Sequence, residues 1–355
     1  MAKMLGTDSS NSASGGDQSQ FNQAQTINNN NYGLSYSDVK ELFLDLFRSN
    51  FIDLKNEAAK IASERAEEIT TKLVERLQQE NQGALDEFKQ PGMQDSLFNA
   101  QKEYAKAGDP ELADMLVQML IDRAKSPIRN RRQAVLDEGL RLAPKLSIHQ
   151  MDLLTITQHF FLTKQLLCKN FDGLMERLEP LFQLVNHVNI AEVNADIEFL
   201  EYLGLVTKIV GSFNPYEKLV LSNYQIYFDK GFQSNELERF SSAGLNAHLI
   251  PSFHVPENMI LGFESKDQIT PFLSQYGYPE HEWPDILALH GGNLLTEDEV
   301  VRLLSDRFPG YVKLREIFNN TEYKNFNLSP VGISIALANW QRRTGVISNL
   351  ATWVG

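Results

Sequence analysis

The sequence predicts a mostly α fold: an N-terminal helical bundle with a long leading helix, then an α-rich C-terminal domain with a small sheet or winged-helix-like element. Three observations predict it. Apolar residues recur at helical spacing from Val39 to Leu77, and no Gly or Pro interrupts them before Gly83. Cap-and-proline pairs punctuate the next stretch. After about residue 189 glycines and prolines become frequent, and short patterns replace long ones. At 355 residues the chain has room for about two domains, at roughly 100–200 residues each. The division is therefore 1–32, an arm rich in Asn, Gln and Ser; 33–189, an α-helical bundle; and 190–355, an α+β domain.

The arm has too little apolar surface to offset the entropy of ordering, so disorder is expected. Its run Asn28-Asn29-Asn30-Asn31, with Phe21 and Ile27 nearby, also suits side-chain ladders between chains. Order begins near Gly33, where Ser35 or Ser37 can cap a helix and Asp38 complements its dipole. The stripe that follows makes one helix of some forty residues, or two with a bend near Ser49-Asn50. Its flanking charges, such as Glu57, Lys60, Glu64 and Arg65, suit a coiled-coil-like hairpin. Pro91-Gly92 marks a turn. Helices are expected at 94–105, 110–125, 127–142 and 148–167, with Asp109-Pro110 and Ser126-Pro127 as cap-and-proline starts. Beyond residue 189, short helices are expected at 192–202 and 215–228, and strands at 205–210 and 248–254. Thr296-Glu297-Asp298-Glu299 has the form of a capping box, and a last helix starts at Ser329-Pro330. Residues 198–206 read as helix, Gly, strand, and residues 326–332 as strand, cap, helix; both phrases recur in winged-helix modules.

The formal net charge of -13 repels phosphate backbones, so nucleic acid is an unexpected partner. No apolar run is long enough for a membrane helix or a signal peptide, so no membrane partner is expected. The single cysteine, Cys168, fits a reducing compartment and a cytoplasmic setting, and reads as a small hydrophobe rather than a nucleophile. No phosphate-binding loop, HExxH or GxSxG occurs. Gly291-Gly292-Asn293 reads as a tight turn. Glu280-His281-Glu282 with His290 could converge on a metal, but a solvated acidic loop explains them as well. No catalytic residue, metal or cofactor is expected. Arg123, Lys125, Arg129, Arg131 and Arg132 form the main basic cluster, which could hold a phosphate or an acidic partner or be absorbed in ion pairs and solvation.

Residues 26–39 (TINNNNYGLSYSDV), 46–51 (LFRSNF), 62–69 (ASERAEEI), 100–105 (AQKEYA), 143–146 (APKL) and 328–336 (LSPVGISIA) together resemble a family of uncharacterised bacterial proteins known mainly by locus names. The resemblance covers nearly the whole chain. It implies a bacterial cytoplasmic setting and no activity, cofactor or catalytic residue. Its helical block is also similar to modules at the front of larger bacterial proteins, which by analogy points to recruitment or assembly, including in phage defence.

The expected function is thus a non-enzymatic interaction or assembly protein, with a protein partner or self-association. The alternatives are a regulator with a winged-helix-like C-terminal domain and an enzyme with a composite site near His281–His290. Leu42, Leu46 and Phe47 are the expected apolar anchors of an interface, because the stripe looks too long for its neighbours to cover. Arg129, Arg131 and Arg132 are the polar candidates.

Overall fold

The computed structural model describes residues 36–50, 56–80, 82–163, 168–211, 216–240 and 243–354. The arm at 1–32, expected to be disordered or stacked, lies outside the described residues. The long stripe is two helices, α1 (Tyr36–Asn50) and α2 (Asn56–Glu80). They run antiparallel: Lys40 pairs with Glu67 at 3.4 Å, and Phe47 packs on Ala62 and Ala66. Val39 and Phe43 thereby join Ile69, Leu73 and Leu77 in one core, so the chain covers much of its own stripe.

Four further helices complete the N-terminal part. They are α3 (Pro91–Ala107), α4 (Pro110–Ala124), α5 (Arg131–Leu142) and α6 (Ile148–Ile156). Pro91 opens α3, where its missing N–H costs nothing, and Gly108 ends it at φ +64°, a conformation that favours glycine. Asp109 caps α4 by accepting from the Glu111 N–H at 2.9 Å. Ser147 and Gln150 form a capping box on α6. The expected Ser126-Pro127 start fails. Asn130 caps α5 instead, accepting from the Gln133 N–H at 3.0 Å, and residues 127–130 are a loop. α6 widens into a π-helical turn at Thr157–Leu162.

The remaining helices are α7 (Phe171–Leu184), α8 (Val193–Tyr202), α9 (Tyr216–Asn223), α10 (Lys266–Gln275), α11 (Trp283–Leu289), α12 (Glu297–Arg307), α13 (Pro309–Asn320), α14 (Pro330–Thr344) and α15 (Ala351–Val354). Two small antiparallel sheets sit among them. β1 (Val206–Lys208) pairs with β4 (Phe326–Leu328), Val206 opposite Leu328; β2 (Leu249–Pro251) pairs with β3 (Met259–Leu261). The two winged-helix phrases therefore meet each other in one ladder. α14, which follows β4, is buried at every position from Gly332 to Trp340, so along that length it offers no face to a nucleic-acid groove. Gly332 permits the close approach: a Cβ there would lie 2.2 Å from the Leu205 carbonyl oxygen.

A single apolar cluster runs from Val39 in α1 to Trp340 in α14, crossing residue 189. A second cluster, including Leu245, Ile269, Leu273 and Ile286, fills the space between β3, α10 and α11. No helix among the described residues is long and apolar enough to cross a membrane.

Candidate functional site

The basic cluster divides in two. Arg123 is buried and its Nε donates to Asp137 at 2.6 Å; the Ser96 hydroxyl donates to the same carboxylate oxygen at 3.1 Å. Lys125 pairs with Glu80 at 2.9 Å, which also takes Arg76 at 2.7 Å. These two cations are absorbed within the fold. Arg129, Arg131 and Arg132 are different: among the described residues none has a carboxylate within ion-pairing distance. The Arg132 Nε is buried without a hydrogen-bond partner.

Arg129, Asn130 and Arg131 line one end of an open cleft of about 720 Å³ between α3 and α5. Its acids are already engaged. Asp137 holds Arg123 and Ser96, Asp95 accepts from the Asn99 amide at 3.1 Å, and Glu138 accepts from Arg141 at 2.8 Å. The Arg141 hydrogen bond holds the Glu138 carboxyl below its usual range. Asp137 and Glu138 are thus paired to arginines, Asp95 keeps its charge beside the Asn99 amide, and Arg129 and Arg131 are the cations of the cleft that have no ion-pair partner among the described residues. No aromatic ring lines the cleft, so it gives bases no platform to stack on.

The expected apolar anchors separate. Leu42 is exposed at 37%, Leu46 is half-buried, and Phe47 is 2% exposed, packed on Ala62, Ala66 and Ala105. Phe47 is thus buried within this chain, and of the three expected anchors Leu42 is the exposed one. The cause is the break after Asn50, which lets α1 fold back on α2. His281 and His290 also part company. His281 is exposed in a short turn, while His290 is buried with its Nε2 2.7 Å from the Phe263 carbonyl oxygen. Among the described residues no group of three or more potential metal ligands comes together. Gly291-Gly292-Asn293 is a turn, with the Gly291 N–H donating to Asp229 at 2.8 Å and φ +68°. Cys168 is half-buried, and burial pushes its thiol pKa up, away from nucleophilic use.

Sequence reasoning missed a buried polar knot on α14. The Asn339 amide donates to Asp152 at 2.9 Å and to Thr155 at 2.8 Å, and Arg343 donates to Asp152 at 3.0 Å. Arg342 donates to the Asn339 carbonyl at 2.7 Å and pairs with Glu111 at 2.8 Å. Arg342 and Arg343 lie in the last turn of α14, where cations also suit the helix dipole. An Asp on an apolar helix and an Asn inside another were the available signals.

A family profile matches residues 33–354. The family is an uncharacterised one known by locus names. The chain belongs to it. That family brings no activity, cofactor or site residue with it, so the cleft and the knot rest on their own geometry. No curated protein and no solved structure matches the chain.

Proposed function

We propose that this protein is a non-enzymatic interaction or assembly protein, and that the α3–α5 cleft receives an anionic segment of a protein partner. The observation that carries the reading is the charge left over at the cleft. Arg129 and Arg131 have no carboxylate partner among the described residues, while Asp137 and Glu138 beside them are paired to Arg123 and Arg141. An arginine fork matches carboxylates in two-point geometry, and rim charges of this kind act mainly on encounter and specificity. The volume falls within the roughly 300–1,000 Å³ usual for ligand clefts, enough for a short stretch of peptide. The family resemblance supports a bacterial cytoplasmic setting for the partner.

The test is a titration of the full chain with a labelled hexaglutamate peptide at low and physiological salt, read by fluorescence anisotropy. Binding is expected to weaken with salt and to fall by about tenfold or more in R129E/R131E. R48E, which reverses an exposed arginine on α1, should leave it unchanged. Equal binding by R129E/R131E and the parent chain, or none by the parent, would overturn the reading. Solution mass measured on the same samples decides whether the partner is a second copy of this chain.

A further inference from the structure

A second cavity, sharing no residue with the α3–α5 cleft, lies where the π-helical turn at Thr157–Leu162 meets α9, α13 and β4. It measures about 240 Å³, and its apolar wall is Phe161, Leu162, Ile209, Leu219, Phe318 and Phe326. The π turn helps to build this wall. Widening the helix by one residue per turn turns Phe161 toward α13, where its ring stacks on Phe318 at 5.3 Å and meets Tyr323 edge-on at 5.9 Å. The wall is held rigidly from behind. The Thr157 hydroxyl donates to the Tyr323 hydroxyl at 2.9 Å, which donates in turn to the Leu153 carbonyl at 3.0 Å.

Five polar side chains complete the lining: Thr157 and Tyr323, which are bonded to each other, and Lys324, Asn223 and Asn327. Lys324 and Asn223 are half-buried. Among the described residues Lys324 has no carboxylate partner and neither amide side chain is hydrogen-bonded. A half-buried lysine with no carboxylate to pair with contributes little to the fold, and an apolar hole beside it forfeits dispersion contacts. Neither feature helps stability; together they make an apolar chamber with one cation and two amide donors.

We infer that this cavity binds a small aromatic monocarboxylate. Its ring lies against Phe161, Phe318 and Phe326, and its carboxylate meets Lys324 with the Asn223 and Asn327 amides as further donors. An apolar cavity of about 150 Å³ accommodates benzene, so 240 Å³ admits a ring with a short acidic side chain. The phenylalanine walls favour a flat ring through offset and edge-on contacts. One cation suits a monoanion better than a phosphate, whose recognition draws on several charged donors.

The test is calorimetric titration of the full chain with 3-phenylpropanoate and with its uncharged amide, 3-phenylpropanamide. The parent chain is expected to bind the carboxylate about tenfold or more tightly than the amide. K324Q should remove that preference while still binding the amide. L219W, which fills the chamber, should abolish binding of both. Because a tryptophan at 219 can unfold the chain, K324Q carries the decision. A parent chain that binds neither compound or prefers neither, or a K324Q variant that keeps the preference, would overturn the inference.

Discussion

His159 lies 3% exposed at the π turn, its ring stacked on Trp340 with centroids 4.3 Å apart. Burial pushes its pKa down to about 4, against about 6.5 for an exposed histidine. The folded chain therefore keeps the ring neutral where the unfolded chain would protonate it. The stabilisation is complete above about pH 6.5 and is lost as pH falls toward about 4, by about 3 kcal/mol. His290, also lowered by burial, acts in the same direction. His159→Phe keeps a ring on Trp340 and removes the titration. Urea midpoints measured from neutral to mildly acid pH should fall less steeply in that variant, with a remnant from His290. Identical slopes would mean that the His159 ring is solvated.

At the scale of elements, α14 is held to α6 by the bond from Asn339 to Asp152 and to α4 by the pair of Arg342 with Glu111. Removing one member of a buried charged pair strands the other, at a cost of about 3–5 kcal/mol. Asp152→Ala should fall near the lower end, because Glu111 remains 3.9 Å from Arg343. The double change Asp152→Leu with Arg343→Met should recover much of the loss in denaturant unfolding. If the double variant loses the sum of the single ones, the knot is not acting as a pair. None of this was legible in the sequence, since the pairing depends on where two helices land 187 positions apart. Local chemistry was legible. Asp109, Thr296 and Ser329 cap the helices they were expected to cap. Two helices that were not expected are opened by proline, Pro284 in the first turn of α11 and Pro309 in the first turn of α13. The arginines of the cleft were visible as a cluster. Which of them stayed unpartnered was not, because Arg123 finds Asp137 fourteen positions on and Lys125 finds Glu80 forty-five positions back.

For the whole molecule, the change of composition near residue 189 marks a change in element length, while the core runs on through it. A fragment of residues 33–189 would lack α14 and expose the faces of α4, α5 and α6 that α14 covers. It is expected to lose cooperative unfolding and to bind a hydrophobic dye; a fragment with a sharp thermal transition and no dye binding would show that the helices close without it. The depth of α14 also bears on how the protein is made. At about 5–20 residues per second, the ribosome delivers Asn339 roughly ten to forty seconds after Asp152. Through that interval the nascent bundle waits with its central groove open and an acidic side chain facing it. A message cut short before codon 339 leaves that carboxylate without the amide and the guanidinium that meet it in the finished fold.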